Sequence, residues 1–86
     1  MTYTVIWLKS AEDDLTAIWL SARDRNAVSR AAQEIDAVLQ RSPDDVGESR
    51  EEGRILLMAP LGVTFEVHAK DRLVRILEVW HFKTHR

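Results

Sequence analysis

Arg72-Leu73-Val74-Arg75-Ile76-Leu77-Glu78-Val79-Trp80 is the stretch that decides the architecture. It is dense in β-branched and aromatic residues, which predicts a strand. Leu73, Leu77 and Val79 fall on one side, and Val74, Ile76 and Trp80 on the other. Both sides are mostly apolar, so the strand belongs inside a sheet rather than at its edge. Lys70-Asp71 marks a tight turn before it. Val63 to Ala69 is a further strand, in which Val63, Phe65 and Val67 alternate with Thr64, Glu66 and His68, giving one buried and one wetter face. Pro60-Leu61-Gly62 is a turn, and Arg54 to Ala59 reads as another strand.

Upstream, Tyr3-Thr4-Val5-Ile6-Trp7-Leu8 has strand composition. Ser10 is placed as a helix N-cap, with Glu12, Asp13 and Asp14 in the first turn, where the helix dipole favours negative charge. Ala11, Leu15, Ile18 and Ala22 form a stripe with Trp19 beside it, predicting a helix over 11–22. Arg23 to Asn26 is a polar break. Val28, Ala31, Ala32, Ile35, Val38 and Leu39 then recur at helical spacing, and Ser42-Pro43 ends that second helix. Ala31 and Ala32 would let a neighbouring helix approach closely. Residues 44–53 read as a polar, acidic loop.

The predicted fold class is α+β in the order β-α-α-β-β-β, as one domain over residues 1–86. A helical hairpin packs on one face of a mainly antiparallel four-stranded sheet. The opposite sheet face is only partly polar, and its apolar residues call for a cover.

An 86-residue chain builds a marginal core, so association with itself or with another chain would help it. There is no cysteine, which excludes disulfides and thiolate metal sites and suits a reducing cytoplasm. No signal-peptide pattern and no run long enough to span a membrane is present. The net charge of −2 is uneven: residues 1–67 carry 7 basic and 12 acidic groups, residues 68–86 carry 5 and 2, and all three histidines lie from His68 onward. The acidic remainder argues against strong nonspecific nucleic-acid binding.

Candidate chemistry concentrates at the C-terminal end. In an extended tail Arg75, His81, Lys83 and His85 share a face. Imidazoles that move protons and cations that hold a phosphate are what metal-free RNA cleavage requires. The plainer reading of the same residues is a solvated chain end. Arg54 either faces a phosphate or pairs with Glu51, Glu52 or Glu66. His81 and His85 lack a third ligand of fixed spacing, and three consecutive carboxylates on a helix diverge, so neither group reads as a metal site, and no cofactor is expected. At least two of Trp7, Trp19 and Trp80 are expected in the core.

Taken together, the pieces resemble the RelE/ParE superfamily of toxins from type II toxin–antitoxin systems, including its plasmid-stabilisation members. The resemblance runs over nearly the whole chain: the first strand with Ser10-Ala11-Glu12-Asp13-Asp14-Leu15-Thr16-Ala17-Ile18-Trp19, the Ala-rich helix from Ala27 to Leu39, Ser42-Pro43, Gly53-Arg54, and Leu73 to His81. It implies a cytoplasmic toxin neutralised by a cognate antitoxin whose C-terminal segment wraps it. One branch of the family cleaves mRNA on the ribosome; the other poisons DNA gyrase. The arginine usual at the start of the third strand falls here at Gly62 or Val63, and the lysines usual before the second strand are replaced by Glu51-Glu52-Gly53. The resemblance therefore favours ParE-like inhibition of gyrase. The alternatives are a RelE-like, metal-independent endoribonuclease and a diverged, inactive antitoxin-binding module. For the nuclease, the resemblance carries over His81, Lys83, Arg86 and Arg54 as candidate catalytic residues.

Overall fold

A computed structural model describes residues 2–50 and 53–82. The elements are β1 (Thr4–Trp7), α1 (Lys9–Ser21), α2 (Arg25–Arg41), β2 (Glu48–Arg50), β3 (Gly53–Met58), β4 (Leu61–His68), a 3-10 turn (Ala69–Asp71) and β5 (Leu73–His81). They form one sheet in the order β1-β5-β4-β3-β2. β5 is an interior strand, as its two apolar sides require, and pairs in parallel with β1 and antiparallel with β4.

Both helices lie on one sheet face, α1 across β5 and β1, α2 across β1, β3 and β4. Between them and the sheet sits the core. Ala11, Val28, Ala31, Ile35 and Leu39 meet Leu61, Val63, Phe65, Val74 and Ile76, all buried. Burial of this apolar surface is the main stabilising term, at roughly 25 cal/mol per Å².

The sheet holds a strand that composition does not announce. β2 lies inside the acidic segment read as loop, and its Glu48-Ser49-Arg50 has no apolar side chain. It is a strand because it pairs with β3, Glu48 opposite Ile55 and Arg50 opposite Gly53. Pairing, rather than propensity, makes it one.

Two further expectations are corrected by the packing. Ser10 is not the N-cap: α1 starts at Lys9, Leu8 occupies the cap position without a side-chain bond, and Ser10 Oγ donates to the carbonyl of Leu77 at 3.1 Å. Asp14 likewise reaches the sheet, accepting from the Val79 N–H at 3.3 Å. In α2 the cap is Asp24, whose carboxylate accepts from the Ala27 N–H at 3.0 Å. None of the tryptophans is fully buried: Trp7 and Trp80 are half-buried and Trp19 is exposed.

The ladder between β4 and β5 is interrupted. Thr64 opposes Glu78, but the next residue, Phe65, opposes Ile76, so Leu77 is an extra residue in β5. A bulge of this kind shifts every later side chain to the other face. Val74, Ile76 and Val79 therefore all point to the helices and are buried, despite their uneven spacing. On the open face, Trp80 stands opposite Gly62 and lies over it. A Cβ at Gly62 would come within 2.5 Å of the indole. Gly62→Ala is expected to displace Trp80 and lower stability by about 1–3 kcal/mol, the usual range for overpacking. Thermal unfolding would show a lower Tm, and tryptophan emission would move to the red.

Candidate partner-binding site

The helical hairpin carries a continuous concave surface. α1 turns Ala11 into the core and leaves Leu15 and Ile18 half-buried at its edge. α2 buries Val28, Ala31, Ile35 and Leu39, and its next residue round from Ala31, the small Ala32, faces α1. With only a methyl group there, the helices leave a groove. A volume of about 400 Å³ opens at one end, lined by Trp7, Glu12, Leu15, Ala32 and Asp36 among others. A second of about 360 Å³ continues it past Trp19, Val28 and Ser29. Leu15, Thr16, Ala32 and Gln33 belong to both, so the groove runs on without a break.

The Trp19 end is held rigid. Trp19 Nε1 donates to Ser29 Oγ at 3.2 Å, tying α1 to α2. Arg25 lies over the indole, 4.6 Å from the ring centre, and donates to the carbonyls of Trp19 and Leu20. That guanidinium thus satisfies two carbonyls at the α1 C-terminus and stacks as a cation on an aromatic face. Trp19 and Leu20 remain 39% and 59% exposed, so the hairpin presents apolar side chains at its surface.

Of the four catalytic candidates from the sequence, Arg54 and His81 lie among the described residues, and these two stand apart. Arg54 faces the helix side and is engaged with its own fold: its guanidinium donates to the carbonyls of Asp44, Val46 and Gly47 and to Ser49 Oγ, at 2.9–3.4 Å. Glu66, the one glutamate of the three that lies among the described residues, takes no part. His81 lies at the end of β5, in a cleft of about 630 Å³ beside Arg23, Asp24 and Pro60. Phe65 opposes Arg54 and Leu61 opposes His81 on the two sides of β4. Four residues of strand separate them, about 13 Å along the sheet and some 10 Å across it. The basic face proposed for β5 is broken by the bulge, which leaves Arg75 on the open side opposite Glu66 and turns His81 towards the helices. Lys83 and Arg86 lie outside the described residues, as do Glu51, Glu52 and His85.

A different polar group stands on the open sheet face. His68 Nε2 and Glu66 Oε1 are 3.0 Å apart, and Arg75 is directly across from Glu66. The alternation of β4 signalled a wetter face but not this grouping. Ile6 and Leu57, 42% and 59% exposed, share that face, so it is mixed in character rather than wholly apolar. Among the described residues no three His, Cys, Asp or Glu side chains are placed to hold a metal. No helix among them is long and apolar enough to cross a membrane.

Solved structures resemble this one over nearly its whole length. A chain of the toxin–antitoxin complex RelBE2 from Mycobacterium tuberculosis superimposes with a TM-score of 0.76 at 23% identity, covering 94% of this chain and 99% of that one. A chain of the chromosomal ParDE toxin–antitoxin system from P. aeruginosa gives a TM-score of 0.69 at 17% identity, covering 94% and 97%. No protein-family model and no curated protein matches the sequence. The fold is therefore the RelE/ParE fold, a helical hairpin on a mainly antiparallel sheet, as the sequence led one to expect.

The contacts of Arg54 make a prediction. Arg54→Ala strands the carbonyls of Val46 and its neighbours, and is expected to lower stability by about 1–3 kcal/mol. Arg54→Lys recovers little, since one ammonium cannot reproduce the planar fork. Amide exchange would quicken in residues 44–50 while the α1/α2 hairpin keeps its protection.

Proposed function

We propose that this chain is the toxin of a type II toxin–antitoxin pair. It is cytoplasmic, and it is silenced when a segment of its cognate antitoxin lies along the α1/α2 groove. Freed, it acts by binding and inhibiting a protein target, in the manner of ParE on DNA gyrase, rather than by cutting RNA. The observation that carries this reading is the continuous groove of the hairpin, mostly apolar, with Leu15 and Ala32 at its middle and exposed Trp19 at one end. An amphipathic helix fits such a groove through side chains at helical spacing. The separation of the described candidates supports a binding mode of action: Arg54 is engaged by its own loop, and Arg75 and His81 are on opposite faces.

A second reading, a ribosome-dependent mRNA interferase, draws on the grouping of Glu66, His68 and Arg75. Carboxylate, imidazole and guanidinium are the groups that metal-free cleavage of a phosphodiester uses as base, acid and anion holder. The remaining alternative is an inactive module that binds an antitoxin and does nothing else.

Three assays separate these. Expression without a partner is expected to arrest growth; unchanged growth would leave only the inactive module. Purified protein is expected to inhibit supercoiling by gyrase and to leave message intact on translating ribosomes. Cutting of that message, abolished by His68→Ala, would replace the gyrase reading with the nuclease.

A further inference from the structure

The two ends of the groove differ in charge. At the Trp7 end, Glu12 of α1 and Asp36 of α2 line walls otherwise made of Trp7, Leu15 and Ala32. At the Trp19 end the lining has no ionisable side chain. Asp36 is half-buried. Among the described residues neither carboxylate joins an ion pair or a side-chain hydrogen bond. The acidic groups that do are Asp13 with Lys9, Glu48 with Arg50 and Glu66 with His68 as ion pairs, and Asp14, Asp24 and Asp44 as hydrogen-bond acceptors. Left open to water, two carboxylates are stable. Under an apolar helix they would be desolvated without a counter-charge, which is strongly unfavourable.

From this we infer that the groove selects a helix carrying a lysine or arginine set between Glu12 and Asp36, with its apolar side against Leu15, Ala32 and Trp19. This rests on the reading of the groove as the seat of a partner helix and adds what that partner must carry. A charge-assisted bond from the partner's base replaces the lost hydration. The spacing is fixed by α1. Glu12 and Trp19 are seven residues apart, about 10 Å along the axis. A helix lying alongside therefore presents its base and its Trp19-facing apolar residue seven positions apart, two turns on the same side. A helix without the base is rejected by the desolvation it would impose, so the acidic end gives specificity among otherwise similar apolar helices.

The test uses the whole chain as bait and a displayed library of 16-residue peptides, helical in design and randomised along one side. Enriched peptides are expected to hold Lys or Arg seven positions from a large apolar residue. Their affinity should fall about tenfold or more on the Glu12→Gln/Asp36→Asn double variant, whose fold is checked by circular dichroism. Replacing the peptide's base by glutamine should remove the difference between the two baits. Peptides that occupy the groove with no basic preference, or that bind both baits equally, overturn the inference and leave the groove reading intact. Occupancy is read from an Ala32→Arg bait, which fills the groove. A library that yields no binder, or only binders indifferent to Ala32→Arg, overturns the groove reading itself.

Discussion

The arrangement depends on how α1 is fastened to a break in β5. Leu77 is one residue too many for the ladder with β4. On either side of the break, side chains of α1 take the backbone: Ser10 Oγ donates to the Leu77 carbonyl, and Asp14 accepts from the Val79 N–H. Each such bond contributes only about 0.5–1.5 kcal/mol net, but leaving a buried partner unmet would cost more. Their effect is positional. They fix the height and rotation of α1 on the sheet, and Ala11 is seated in the core between them.

The helix so placed leaves a groove against α2 along its outer edge. Leu15 and Ala32 face one another across an open groove, and Trp19 is steadied by Ser29 and Arg25 without being buried. The same break divides the polar chemistry of β5, sending Arg75 to the open face and His81 to the helix side. One irregularity thus both positions the helix that borders the groove and separates groups that a regular strand would have aligned. The binding function proposed above draws on those two effects.

Much of the fold is written in local pattern. The helical stripes of Ala11-Leu15-Ile18 and Val28-Ala31-Ile35-Leu39, the alternation of Val63-Phe65-Val67 and the doubly apolar β5 each name their element. What escapes the sequence has no local signature. Glu48-Ser49-Arg50 becomes a strand because β3 offers an edge. Ser10 looks like a cap by type and position, yet its hydroxyl is drawn to a carbonyl 67 residues away. Reading odd-numbered positions of β5 as one face assumes an unbroken period of two, and the bulge voids that assumption between Arg75 and His81. The groove is legible only as a permission, small Ala32 at a helix face. The pairing of Glu12 with Asp36 across it needs the third dimension.

The break in β5 can be tested directly, because the chain has no cysteine of its own. In the observed register Thr64 opposes Glu78 and Glu66 opposes Arg75. No unbroken antiparallel ladder can satisfy both pairs. Opposed residues have Cα atoms about 4.5–5.5 Å apart, within disulfide range. Two double-cysteine variants, Thr64→Cys with Glu78→Cys and Glu66→Cys with Arg75→Cys, are to be oxidised under mild conditions. Rapid cross-linking in both is the predicted result. Cross-linking in only one of them would mean a regular strand, with Arg75 and His81 on the same face, and would contradict this account.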